Sequence, residues 1–175
     1  MAEVAGRLAG KVAIVTGGGS GIGRAASLRF AAEGAAVLVA DVTGADAETV
    51  AAEVAASGGR ALAMAVDVTD LGQVTAMVDR AVSAFGGVDV LLCAAGVLAF
   101  GDVVETDPDV WDRVLAVNLT GAYLCARTVI PLMVALGGGS IVTISSSTGA
   151  HDAMLRFVLA AERAYFGAAA AAEPR

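Results

Sequence analysis

Positive charge is scarce in this sequence. One lysine, Lys11, and ten arginines stand against 18 acidic residues, leaving a net charge of −7 over 175 residues. No basic stripe is available to displace counterions from a phosphate backbone, so nucleic-acid binding is excluded as a reading. Two cysteines cannot staple a chain of this length, and a reduced, cytoplasmic setting is the expectation. A single histidine, with no His/Cys/Asp cluster at ligand spacing, removes the common metal centres. Aromatics make up only 5 % of residues, so the core must be aliphatic. Met1 to Gly10 carries Glu3 and Arg7 and lacks the apolar run of a secretory signal. The one stretch that hydropathy flags, Val114 to Leu136, is interrupted by Asn118, Thr120, Arg127 and Pro131. It reads as a helix buried on most of its faces, and no membrane partner is expected.

What the chain does hold is small and apolar. Hydrophobic residues make up 57 %, and glycine (22 residues) with alanine accounts for about a third of the whole. Such a composition excludes disorder for most of the length and suits close packing of helices on a sheet. The length suits one domain.

Short β-branched runs alternate with helical patterns from one end to the other, the pattern of βαβ units feeding a parallel sheet. Strands are predicted at Val12 to Thr16, Ala36 to Asp41, Arg60 to Val66, Val88 to Cys93 and Ser140 to Ser145. Helices are predicted over Ile22 to Glu33, Asp46 to Ser57 and Leu71 to Phe85, each followed by glycine. A fourth starts at Asp107-Pro108, an N-cap with proline at the first helical position, and a fifth runs from Leu119 to Leu136. Beyond the turn that ends at Gly149, one amphipathic helix, His151 to Phe166, precedes a low-complexity tail with five consecutive alanines.

The loop Thr16-Gly17-Gly18-Gly19-Ser20-Gly21-Ile22-Gly23 leaves the first strand and opens the first helix. Glycine there permits a sharp turn, close approach of a pyrophosphate and tight helix-on-sheet packing. The helix N-terminus adds N–H donors and a positive dipole end. A glycine-rich βα turn without a ligand is the alternative. Asp41 ends the second strand 18 residues after Gly23, near the spacing of about 20 at which an acid holds a ribose 2′-hydroxyl. Val42 and Thr43 follow, with no cation to neutralise a 2′-phosphate, so NAD is favoured over NADP.

These motifs, with Asp67-Val68, Cys93-Ala94-Ala95-Gly96, Asn118 in Val117 to Gly121, and the serine run Ser140 to Ser147, resemble the short-chain dehydrogenase/reductase family over residues 8 to 150. The resemblance implies an α/β, Rossmann-like doubly wound parallel sheet, incomplete at its C-terminal side, with residues 1–175 as one dinucleotide-binding domain. It implies a nicotinamide cofactor held by Gly17, Ser20, Gly21, Ile22, Gly23, Asp41, Asp67, Val68, Ala95 and Gly96. Asn118 and Ser146 would be the catalytic set, with hydride passing between the cofactor and an alcohol or ketone. Serine hydroxyls in that turn would bond the substrate oxygen. Cys93 stands where the family has Asn, which removes a polar stabiliser from that turn. The family's long helix, here Leu119 to Leu136, packs against its copy in another subunit, so a homo-oligomer is implied.

The family's acid/base motif, Tyr-x-x-x-Lys, is not found. Counting on from Ser146 reaches Leu159 and Arg163, and Lys11 is the sole lysine. Two readings therefore stand side by side: an NAD-preferring oxidoreductase, and a nucleotide-binding remnant or interaction protein without turnover. Residues 151–175 read as an atypical tail that could arise from a shifted reading frame. A methyltransferase using the same loop is disfavoured by Asn118 and the serine strand. A Ser/His hydrolase at His151 lacks the G-x-S-x-G elbow. Cys93, Cys125 and Trp111 are expected to serve packing, with an interface as the alternative for Trp111.

Overall fold

A computed structural model describes residues 6–102 and 104–145. Of these, the residues up to Val97 together with Arg113–Ile144 form one compact unit, and Leu98–Asp112 belong to a second. The strands are β1 (Val12–Thr16), β2 (Ala36–Asp41), β3 (Arg60–Ala65), β4 (Val90–Cys93) and β5 (Ser140–Thr143). All pair in parallel, in the order β3-β2-β1-β4-β5. The order reverses direction between β1 and β4, the switch point at which doubly wound sheets open a crevice beyond their strand ends.

The helices are α1 (Gly21–Ala32), α2 (Gly44–Ala56), α3 (Leu71–Phe85), α4 (Pro108–Leu115) and α5 (Ala122–Ala135), with a π-helical turn, Ala116–Gly121, joining the last two. Side chains alternate across the strands and divide the core in two. Ile14, Leu38, Leu91 and Cys93 pack with Val74, Met77 and Val78 of α3 and with Cys125, Val129 and Met133 of α5. Val15, Val37, Val39 and Leu92 form the other cluster with Ala47 and Val50 of α2 and partly buried Ala26 and Leu28 of α1. Each fully buried Ile, Leu or Val side chain contributes about 1.5–3 kcal/mol, and strands covered on both faces need such continuous apolar runs.

The predicted elements are all present within the described residues, with shifted ends. β4 begins at Val90 rather than Val88 because Asp89 is engaged elsewhere. Its carboxylate accepts from the Val12 N–H and the Lys11 ammonium, both at 2.9 Å, tying the start of β1 to the approach to β4. β3 stops at Ala65 and β5 at Thr143, each short of its predicted end. α5 is not buried on most of its faces: only Cys125, Val129 and Met133 are buried, a single stripe against the sheet. The run Pro108–Ala135 is long and apolar enough by length and composition to cross a membrane. Its buried stripe instead covers β4, within one layer of the fold. Trp111, expected in the core, is 58 % exposed. The predicted helix over His151 to Phe166, and Ser146 to Gly149, lie outside the described residues.

Burial alone would raise the pKa of Asp89, but the bonds from Lys11 and Val12 hold it below the usual carboxylate value. The folded state therefore favours the ionised form. That stabilisation is complete above the unfolded pKa of about 3.9 and disappears as pH falls through the lower folded value. Asp89→Asn is expected to cost about 1 kcal/mol at neutral pH, after allowance for solvent screening, and progressively less as the solution is acidified. Urea melts of both proteins across an acid series check this, and a pH-independent difference contradicts it.

Candidate functional site

The parallel register sets Thr16, Ala40, Cys93 and Thr143 level at the C-terminal edge of the sheet. The loops that leave this edge enclose a cavity of about 600 Å³. The loop after β1 forms its floor. Gly17 has a positive φ of 63°, and a Cβ there would lie 2.7 Å from the backbone of Ala95. At Gly23 a Cβ would lie 2.0 Å from the Gly17 carbonyl oxygen. The loop after β1, the loop after β4 and the first turn of α1 thus meet backbone to backbone. Thr16 supports the same junction: its carbonyl accepts from Ala94 N–H at 3.1 Å, and its hydroxyl lies 3.4 Å from Ala95 N.

The start of α1 is open. Ser20 sits at the N-cap in extended conformation, yet its side chain makes no capping bond, and the first turn holds no acidic residue. The N-terminus of α3 shows the contrast. There Asp70 accepts from Gly72 and Gln73 N–H, which lowers its pKa, and consumes the free donors. The uncapped α1 terminus leaves N–H groups and the positive dipole end facing the cavity, the arrangement that receives a phosphate.

Asp41 flanks that floor with both carboxylate oxygens anchored: Oδ2 accepts from Gly19 N–H and Oδ1 from Thr43 N–H, each at 3.0 Å. Anchored this way, the carboxylate keeps lone pairs for a further donor. Asp67 is held by Thr69, whose N–H and hydroxyl both donate to its Oδ1, at 2.9 and 2.7 Å. Beside it, Val68 packs against Gly121 of the π turn, where no Cβ would fit.

All ten residues expected to hold a cofactor, Gly17, Ser20, Gly21, Ile22, Gly23, Asp41, Asp67, Val68, Ala95 and Gly96, line this one cavity. Asn118 does not. It sits in the π turn with its Oδ1 accepting from Val97 N–H at 2.8 Å and its Nδ2 donating to Val97 O at 2.9 Å. Its side chain is spent on fixing the chain just past Gly96, which makes it a positioning residue for the cavity wall. Ser146 lies outside the described residues. Ile144, two residues earlier, lines the cavity, as do Arg113, Ala116 and Val117. Sequence reasoning missed these. Arg113 is marked only by its helical spacing from Ala116 and Val117, and Ile144 only by its place at the end of a predicted strand.

The sequence profile described as short chain dehydrogenase matches residues 11–161, most of the chain. The chain belongs to the short-chain dehydrogenase family. The match runs past residue 150, where the motif resemblance ends. Among curated members, a 2,5-dichloro-2,5-cyclohexadiene-1,4-diol dehydrogenase of Sphingobium indicum is 44 % identical over 146 residues, covering 83 % of this chain and 58 % of its own length. A 3-alpha-(or 20-beta)-hydroxysteroid dehydrogenase of Mycobacterium tuberculosis is also 44 % identical, with 55 % of its length covered. Among solved short-chain dehydrogenase structures, a 7 alpha-hydroxysteroid dehydrogenase complexed with NADH and 7-oxo glycochenodeoxycholic acid aligns with a TM-score of 0.77 at 36 % identity. That alignment covers 80 % of this chain and 55 % of the other. The chain spans a little over half the length of the curated short-chain dehydrogenases it matches.

Proposed function

We propose that this chain is the dinucleotide-binding part of a short-chain dehydrogenase and that it prefers NAD to NADP. The observation that carries the reading is the convergence on one cavity of an uncapped helix N-terminus, a glycine floor that no Cβ could enter, and an anchored carboxylate. Gly21, Ile22 and Gly23 would receive the pyrophosphate. Asp41 would accept from the adenosine ribose hydroxyls, Asp67 and Val68 would bound the adenine, and Ala95 and Gly96 would lie under the rest of the cofactor. When bound, the nicotinamide supplies the hydride acceptor or donor for an alcohol or ketone. In that reaction Ser146 would hold the substrate oxygen, and Asn118 would keep the wall at Val97 in place. A homo-oligomer in a cytoplasmic setting belongs to the same reading, supported by the exposed apolar side chains of Leu119, Tyr123, Ile130 and Val134.

Fluorescence titration with NADH and NADPH tests the proposal. The chain is expected to bind NADH more tightly, because a fixed carboxylate repels a 2′-phosphate. Asp41→Asn keeps the shape and removes the charge, and is expected to reduce the NADH-over-NADPH preference about tenfold, or about 1.4 kcal/mol. Equal affinity of the unaltered chain for both cofactors would overturn the assignment of Asp41.

A second reading, binding without turnover, is favoured by the missing Tyr-x-x-x-Lys, since Lys11 is the sole lysine.

A further inference from the structure

Cys93 and Cys125 are the only cysteines in the chain, and neither has a part in cofactor binding as proposed. Both are buried in the same core cluster, Cys93 as the last residue of β4 and Cys125 on the inner stripe of α5. Their thiols hydrogen-bond to each other across the strand-helix interface. The two are not equivalent. Cys93 retains 6 % of its surface and leads directly into Ala94, Ala95 and Gly96 of the cavity wall, whereas Cys125 is fully enclosed.

We propose that Cys93 and Cys125 form an oxidisable dithiol, which hydrogen peroxide entering through the cavity converts into an intramolecular disulfide joining β4 to α5. A lone buried cysteine in apolar surroundings is inert, because burial suppresses its thiolate. The second thiol changes this. Hydrogen bonding from Cys125 lowers the pKa of Cys93, while the Cys93 sulfur raises that of Cys125, so Cys93 ionises first. The Cys93 thiolate attacks one peroxide oxygen, the O–O bond breaks, and the departing hydroxide takes up the proton released by Cys93 to become water. The resulting Cys93 sulfenic acid is then attacked by the Cys125 sulfur. The S–O bond breaks, hydroxide leaves with the Cys125 proton as a second water, and the S–S bond forms. Two thiols lose two electrons and two protons, and one peroxide is reduced to two waters. This chemistry is independent of which ligand the cavity holds.

The test is intact-mass analysis of the full chain after peroxide treatment, denaturation and alkylation. The expected product of the unaltered chain is a monomer lighter by two hydrogens, with no alkylated cysteine, from which dithiothreitol restores two alkylation sites. Cys125→Ser is expected to stop at a sulfenic acid on Cys93 that dimedone traps. Cys93→Ser should oxidise at least about tenfold more slowly, because its remaining thiol is sealed in the core. The inference is overturned if both thiols of the unaltered chain stay alkylatable, if the disulfide joins two chains, or if Cys93→Ser reacts as fast as the unaltered chain. Should either variant fail to fold, the mass of the oxidised unaltered chain decides alone.

Discussion

Gly23→Ala is expected to remove NADH binding, lowering affinity at least about 100-fold, or about 2.7 kcal/mol. The new methyl group would stand 2.0 Å from the Gly17 carbonyl oxygen and 2.7 Å from its carbon, inside any allowed separation. Backbone cannot swing aside as a side-chain tip can. Either α1 withdraws from the loop after β1, or Gly17 moves, and Gly17 is itself pressed against Ala95. Both routes displace the N–H groups that would face the pyrophosphate. Overpacking of this kind costs about 1–3 kcal/mol of stability, less than a whole domain holds, so a folded variant that fails to bind is the anticipated result. Gly21→Ala separates the two effects. Its Cβ meets nothing within 4 Å, yet φ is +49°, so it carries a modest backbone strain without the clash. Thermal melts alongside NADH titrations of both variants check the ranking. Unchanged affinity in a folded Gly23→Ala protein would falsify the assignment of this loop to the pyrophosphate.

The site was legible in the sequence where chemistry demands a residue type at a fixed spacing. The glycine loop, Asp41, Asp67-Val68 and Ala95-Gly96 each follow a strand whose β-branched run marks its end, and parallel pairing brings those ends to one edge. Spacing along the chain was thus enough to gather ten residues into one cavity. Legibility stopped where a side chain's partner is set by tertiary contact. The kink at Asn118 was visible as a motif, but its bonds to both backbone groups of Val97 depend on how the π turn approaches the β4 exit. The early break before β4 depends on Asp89 reaching back across the sheet to Val12 and Lys11. Trp111 was misjudged because bulk and apolarity favour burial on average, while helix α4 directs it outward. The extent of burial on α5 was overestimated for a similar reason: an apolar helix was read as enclosed, although the sheet covers one stripe of it.

The 175-residue chain is expected to bind NADH without oxidising alcohols or reducing ketones at a measurable rate. Hydride transfer from an alcohol carbon leaves a hydroxyl proton that needs an acceptor. The family pattern supplies a phenol, whose ordinary pKa of about 10 must be lowered by a neighbouring ammonium to work near neutrality. This chain has two tyrosines and one lysine, and the described ones are engaged elsewhere. Lys11 is paired with Asp89 at 2.9 Å just before β1, at the opposite end of the strand from the cavity. Tyr123 lies 56 % exposed on α5, its hydroxyl 3.4 Å from the Arg127 guanidinium, and is not among the cavity-lining residues. Tyr165 has alanine, not lysine, four residues on. Loss of a positioned acid/base costs about 10² to 10⁴ in rate, and loss of a coupled pair can leave still less, because neither member works without the other. Ser146 could orient a substrate oxygen but has no stronger base beside it in the sequence to which it could pass a proton. NADH absorbance with a panel of cyclic and steroidal alcohols and ketones, run beside a full-length hydroxysteroid dehydrogenase, reads the difference. Turnover within tenfold of that control would mean that another group in this chain moves the proton, and its pH profile would identify the pKa to look for.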